Sequence, residues 1–381
     1  MSFRRVITAA RELDKQLHRR RSPDLRRLLV NARTAMNYAT LAPIVERLQD
    51  DNRLEFYFTA SENSANTETI YSEAPKPFQI ISPLAAAFMR FDAYLAADFL
   101  WVKLPRGTKR VQTFHGVAGK YRTIYDSPGR TMREWDRLFF INEHRLQHFI
   151  ASGAIDEGSR AACLIGMPKL DCLVDGSLSR DEVLGSLGID PSRRTVLYAP
   201  TWSPYSSLVT MGGDLVRRLG AAGYAVIGKL HDRSRETRYA NSGGVDWGAR
   251  LDPLLRGTGG VLATGSNSSR YLPAADVLIT DHSSVGFEYL LLDRPLIRIE
   301  VPELIAKTDI EPMYVELLSR ASTTVHNVDE TITAINQTFD DSRHNSEARR
   351  AVAAEMFYKP GSATERAVSE MYNVLELDSV E

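Results

Sequence analysis

Residues 277–299 constrain the fold of this chain more than any other stretch. Val277–Thr280 is a short apolar run, Asp281-His282-Ser283-Ser284 is a polar turn, and an apolar helix-like run follows before Arg294-Pro295 restarts a strand at Leu296–Ile299. Strand, turn, helix and strand in that order make a β-α-β unit of a parallel sheet. The hydroxyls of the turn fall at the helix N-terminus, where unpaired N–H groups and the helix dipole favour an anion, usually phosphate. Two readings of the turn stay open on this segment alone. It binds an anion, or Asp281 or Ser283 merely caps the helix.

The same alternation runs through the chain. In the first half the strand candidates are Leu25–Ala32, Leu54–Thr59, Phe78–Ser82, Ala93–Leu95, Arg110–Phe114, Leu138–Ile141 and Ala162–Ile165, with a helix at Tyr38–Leu48. After a short helix near Asp181–Leu187 and the break Gly188-Ile189-Asp190-Pro191, strands restart at Thr195–Ala199, Tyr224–Lys229, Gly260–Thr264, Val277–Thr280 and Leu296–Ile299. A helix is expected near Gly213–Ala222, and the final helices near Glu330–Gln337 and Ala363–Leu375. A chain of 381 residues exceeds one ordinary core. The expectation is therefore an α/β protein of two Rossmann-like, doubly wound domains facing across a cleft, residues 1–185 and 186–381, with the last helices packing back on the first. Ligands in such sheets bind beyond the carboxyl ends of the strands, so functional residues should follow strands directly.

Several strand ends carry suitable chemistry. His115-Gly116-Val117-Ala118-Gly119-Lys120 follows Arg110–Phe114; His115 is the best-placed general base, because an imidazole titrates near working pH. Gly116 allows close backbone approach and Lys120 adds a cation. Thr201-Trp202 follows Thr195–Ala199, and Trp202 reads as a pocket wall or as packing. Lys229 and His231 follow the next strand, two residues apart and on one face of an extended chain, a pairing that suits a diphosphate. His282 lies within the turn already described.

Composition narrows the class. The chain is 43% hydrophobic and 25% charged with net charge −1, an ordinary globular balance that favours no nucleic-acid partner. Residues 1–30 nonetheless hold nine Lys/Arg against three acids, read as a basic helix lying on an anionic membrane surface or simply as a solvated face. No apolar run spans a membrane and the basic N-terminus carries no apolar h-region, so the expected location is cytoplasmic, peripheral on the inner face of the membrane. Cys163 and Cys172 are the only cysteines, and His144 and His148, four apart, lack a third ligand. No metal site is expected.

Six segments in order, HGVAGK (115–120), GMPKLD (166–171), LYAPTW (197–202), GKLH (228–231), DVLITDHSSVGFEYLLLDRPLI (276–297) and KPGSATERAV (359–368), resemble the CDP-glycerol glycerophosphotransferase family, which includes teichoic acid polymerases and primases. The resemblance implies a GT-B-like fold with the donor in the C-terminal domain. It implies transfer of glycerol phosphate, or a related polyol phosphate, from a CDP-activated donor to a hydroxyl of an envelope or capsule glycopolymer or lipid-linked acceptor, with release of CMP and no required cofactor. By position, His115 matches the family's base and His231 its diphosphate-binding histidine. Ser283 and Ser284 match paired phosphate-contacting serines, and Glu288 an acidic position facing nucleotide or glycerol. The chain departs from the pattern at Ser203-Pro204, where Arg-Asp is usual, at Asp232 in place of proline, and at Lys169 in place of arginine. The alternatives are a GT-B glycosyltransferase using a nucleotide sugar and a non-catalytic GT-B-like scaffold.

Overall fold

The computed structural model describes residues 3–21, 24–60, 67–75, 78–117, 133–308 and 310–379. Packing divides the chain into two compact units. The first comprises residues 1–115, 124–171 and 358–381, and the second 116–123 and 172–357. The sequence placed one boundary at residue 185; packing places the crossing at 171/172 and a return at 357/358, so the last helix, Ala363–Leu375, belongs to the first unit.

The first unit is built on a seven-stranded, wholly parallel sheet. Its strands are β1 (Arg26–Asn31), β2 (Leu54–Thr59), β3 (Gln79–Ile80), β4 (Ala93–Ala97), β5 (Lys109–Thr113), β6 (Arg137–Phe140) and β7 (Ala162–Leu164), in the order β3-β2-β1-β4-β5-β6-β7. The second unit carries β8 (Thr195–Tyr198), β9 (Ala225–Gly228), β10 (Val261–Leu262), β11 (Val277–Thr280), β12 (Leu296–Ile299) and β13 (Thr323–Val325), in the order β10-β9-β8-β11-β12-β13 and again all parallel. Each order is that of a doubly wound nucleotide-binding sheet, reversing direction between β1 and β4 and between β8 and β11. Those two reversals fix where ligands should sit.

Strands covered on both faces should be mainly apolar, and these are, with Arg298 of β12 a buried charged exception. β4, β8, β11 and β12 are buried along their whole length, and Leu28, Leu29, Val30, Leu197, Leu278 and Ile279 have no exposed surface. Each such side chain stabilises the fold by about 1.5–3 kcal/mol relative to exposure.

The structure corrects some element bounds. The helix expected near Gly213 begins at Ser207, with Gly212 and Gly213 in its interior. Poor helix propensity made the glycines look like a boundary, but a Cβ on Gly212 would stand 3.1 Å from Leu208 Cδ1 and 3.4 Å from the Tyr198 hydroxyl, so the position serves close packing on β8. The run after Ser284 is helical only to Tyr289, tightens into a 3₁₀ turn at Leu290–Leu292, and ends with Asp293 at φ 49°. β13 was not anticipated; Thr323–Val325 is too short to show a period of two. No helix among the described residues is long and apolar enough to cross a membrane.

Candidate active site

In the first unit the sheet reversal gathers three polar side chains. Asn37 sits in the first turns of the helix Ala35–Leu48 that follows β1, Asp98 directly follows β4, and His115 follows β5. Nδ1 of His115 lies 2.5 Å from Oδ2 of Asp98. The His115 backbone N–H donates to Oδ1 of Asp98 at 3.2 Å, and Asn37 Nδ2 donates to Oδ2 at 2.6 Å. Burial alone would push the Asp98 carboxyl up; the His115 charge, the ring and backbone donors of His115, and Arg145 outweigh it and hold the group below the usual carboxylate range.

Asp98 and its neighbour Phe99 both occupy the left-handed region, at φ 55° and 58°. Non-glycine residues there cost about 1–2 kcal/mol each. Packing holds them: the Phe99 ring lies 5.7 Å from Phe114 and 6.1 Å from Phe149, and its N–H donates to Gln112 Oε1 at 2.7 Å. Two strained residues in succession aim the Asp98 carboxylate at the ring of His115. Such strain clusters at functional sites. Gly116 comes directly after His115, and Lys120 lies outside the described residues.

In the second unit the reversal between β8 and β11 is held by one buried carboxylate. Asp281 has no exposed surface, and its oxygens accept from the backbone N–H groups of Thr201 (2.8 Å), Ser207 (3.0 Å) and His282 (2.7 Å) and from the Ser207 hydroxyl (3.0 Å). Burial pushes this carboxyl up against those four donors. Asp281 therefore fastens the loop after β8 and the start of the helix Ser207–Ala221 to its own strand, and has no side open to a ligand. His282 is also buried.

The remaining expected residues fall into four groups. Trp202 and His231 come together with ring centroids 5.8 Å apart, and the Arg233 guanidinium covers the Trp202 ring at 4.4 Å. Nδ1 of His231 accepts the Arg233 backbone N–H at 3.1 Å and so caps the 3₁₀ turn Asp232–Arg235. A ring whose Nδ1 accepts carries its proton on Nε2. Lys229 is buried nearby in sequence, its Nζ donating to the Leu230 carbonyl at 3.0 Å; burial lowers its pKa, Asp232 opposes the shift and Arg235 adds to it. Ser283 and Ser284 are partly exposed; Ser283 caps the following helix and its hydroxyl accepts from Val285 N–H at 3.5 Å. Glu288 is internal, 1% exposed, and takes the Ser269 hydroxyl at 3.2 Å.

Sequence reasoning missed Asp98, Asn37, Ser207, Ser269 and Arg233. Asp98 carried a usable signal, an acid directly after the apolar run Ala93–Ala97, which the strand-end rule should have flagged. Ser207 and Ser269 carried none, because their roles depend on which segments meet. Among the described residues no cluster of three or more His, Cys, Asp or Glu could hold a metal.

A family model described as CDP-glycerol:poly(glycerophosphate) glycerophosphotransferase matches residues 29–373. The teichoic acid poly(glycerol phosphate) polymerase of Bacillus spizizenii is 26% identical over 224 residues, covering 52% of this chain and 53% of the polymerase. The chain thus spans about half the length of that relative. Among solved structures, the wall teichoic acid polymerase TagF superposes with a TM-score of 0.68 at 16% identity, over 93% of this chain and 90% of that one. The UDP-GlcNAc 2-epimerase of Methanocaldococcus jannaschii gives 0.56 at 15% identity, over 91% and 99%. The structural likeness is one of fold, and it places the two parallel-sheet units in the GT-B-like class.

Proposed function

The chain belongs to the CDP-glycerol:poly(glycerophosphate) glycerophosphotransferase family, and on that premise we propose that it transfers glycerol phosphate from CDP-glycerol to a hydroxyl of a glycopolymer or lipid-linked acceptor. The acceptor oxygen attacks the phosphorus that bears glycerol. A P–O bond to the acceptor forms, the P–O bond to CMP breaks, CMP leaves with added negative charge, and the hydroxyl proton goes to Nε2 of His115. The observation that carries this reading is the His115–Asp98 pair. A carboxylate facing Nδ1 fixes the proton there and leaves the Nε2 lone pair to act as base, a contribution of about 10²–10⁴-fold.

The second unit supplies the donor's cations and donors. His231 offers Nε2–H, and Lys229 and Arg233 offer charge from the same strand end. Arg233 takes the role left vacant where Ser203-Pro204 replaces the usual arginine. The Ser283 and Ser284 hydroxyls complete the phosphate contacts, and Thr201 and Trp202 wall them. Asp281 and Glu288 act through the segments they hold. Gly116 follows His115 directly.

Incubation of the purified chain with CDP-glycerol, CDP-ribitol and a panel of sugar nucleotides tests the reading. CMP release from CDP-glycerol, lost in His115→Ala, is the expected result. UDP release from a UDP-sugar, or thermal stabilisation by every nucleotide without turnover, points instead to the glycosyltransferase or scaffold alternative.

Attachment to the inner membrane face rests on the helix Phe3–Arg21. Val6, Leu13 and Leu17 form one exposed apolar stripe along it, 46%, 59% and 49% exposed, in a segment rich in arginine. Leu13→Glu/Leu17→Glu should abolish co-sedimentation with phosphatidylglycerol vesicles; unchanged sedimentation removes the attachment.

A further inference from the structure

A cavity of about 990 Å³ opens at the edge of the second sheet opposite the strand ends just described. Its floor is made by residues that precede three neighbouring strands, Arg193 and Arg194 before β8, Asp276 before β11 and Arg294 before β12. Its rim comes from the end of the helix Val328–Asp340 and the start of the helix Ser346–Met356. Seven arginines and two aspartates line it, in a chain whose net charge is −1. Positive charge is in clear excess here.

Four of those arginines build the wall. Arg349, 2% exposed, donates to Asp293 Oδ1 at 3.0 Å and to the carbonyls of Asp293, His344 and Ser342. Arg180 forms a two-pronged pair with Asp276 at 3.1 and 3.0 Å. Arg294 donates to the carbonyls of Pro273 and Ala275, and Arg193 to those of Gly259 and Gly223. Both aspartates are engaged by this scaffold, Asp293 also by the Ser346 hydroxyl and Asp276 by the Thr195 N–H.

Arg194, Arg343 and Arg350 are different. All three are exposed, and among the described residues their guanidinium groups make no hydrogen bond or ion pair. Arg194 lies flat over Phe339 at 4.4 Å, which orients its plane and leaves its N–H edges outward. The neighbouring helix start adds to the field, since its N-cap residue Asn345, at φ 62°, gives no side-chain capping bond. A concave wall of unopposed guanidiniums raises the local concentration of anions far more than the same charges on a flat surface.

We propose that this cavity binds a ligand carrying two or more phosphate groups, of polyphosphate or phosphodiester-chain chemistry. Three guanidiniums from three segments match several phosphates rather than one, and the volume is that of a ligand pocket. The site is not that of the donor. The donor residues lie at the other ends of the same four-residue strands β8 and β11, about 13 Å of strand rise away. The inference goes beyond the glycerophosphotransferase reading and stands without it.

Calorimetric titration of the full chain with sodium tripolyphosphate at low ionic strength tests it. One binding event should weaken by about tenfold or more in Arg343→Ala/Arg350→Ala and persist in His231→Ala. Arg194→Gln should weaken it several-fold and serves as the second variant if the double substitution lowers the thermal transition. A glycerol phosphate oligomer that competes with tripolyphosphate names the phosphodiester chain as the source; no competition leaves free polyphosphate as the source. Absence of heat, equal affinity for sulfate at matched ionic strength, or a loss that follows His231→Ala in place of the arginine variants overturns the proposal.

Discussion

His115 and His231 each stand just beyond the end of a parallel strand, yet the protein treats their rings in opposite ways. In the first unit Nδ1 meets the Asp98 carboxylate, which only accepts, so the proton rests on Nδ1 and Nε2 keeps a lone pair. In the second unit Nδ1 itself accepts the Arg233 N–H, so the proton rests on Nε2. In the proposed reaction one ring takes a proton and the other offers a hydrogen bond to an anion. The difference comes from partners outside the adjoining glycine-rich and lysine segments: an aspartate 17 residues upstream and the backbone of a 3₁₀ turn. A histidine's role is set by what its second nitrogen touches.

The strongest way to break this contrast is to reverse the partner of His115. In Asp98→Asn, an amide oxygen kept on the His115 N–H puts the amide NH₂ against both Nδ1 and Asn37 Nδ2, which are donors in the native pair. The ring must then accept at Nδ1, its proton moves to Nε2, and the base is gone. Turnover in the CMP-release assay should fall by about 10³-fold or more, as far as in His115→Ala, with donor KM nearly unchanged. Near wild-type turnover in a folded Asp98→Asn protein would show that the carboxylate does not set the tautomer.

Glutamine sharpens the same contrast. Its side-chain amide keeps an N–H donor but no basic nitrogen. His231→Gln should hold within roughly tenfold of wild type and act mainly on donor KM, while His115→Gln should lose about as much as His115→Ala. The opposite ranking exchanges the two roles.

The parallel sheets were legible because buried parallel strands are mainly apolar, and Val277–Thr280 and Leu296–Ile299 were found to the residue. The strand-end rule led to His115, Lys229 and His231, and the structure places all three just beyond β5 or β9. It was not legible where function depends on a neighbour brought in by the sheet order. Asp281 looked like a phosphate contact or cap, and only the adjacency of β8 and β11 shows it to be an internal fastening. Two segments of the family pattern prove to be a clasp. Asp171 accepts from Gly361, Ala363 and Thr364 N–H groups at 2.7–3.1 Å and so caps the final helix. A Cβ on Gly166, at φ 89°, would stand 2.5 Å from the Tyr358 carbonyl. Asp171→Ala should lower stability by about 2–3 kcal/mol in urea denaturation. Its kcat below the transition should stay near wild type, which separates lost stability from the losses expected at the two histidines.

The smallest effect tests whether the second unit's cations answer to a phosphate as its imidazole does. His231 presents an Nε2–H donor, whereas burial holds the Lys229 ammonium below the ordinary lysine range. An anionic diphosphate beside it favours the charged form and raises that pKa again. Below the depressed pKa the ammonium is charged with or without donor, and binding moves no proton. Above it the empty site is neutral and the occupied one charged, so donor binding takes up a proton and affinity falls as pH rises through that window. Calorimetry in two buffers of different ionisation heat should show greater uptake just below the ordinary lysine range than at a lower pH. Lys229→Arg, charged at both pH values, should abolish the difference and retain binding. Equal uptake in the arginine variant would place the titrating group elsewhere and remove Lys229 from the donor's phosphates.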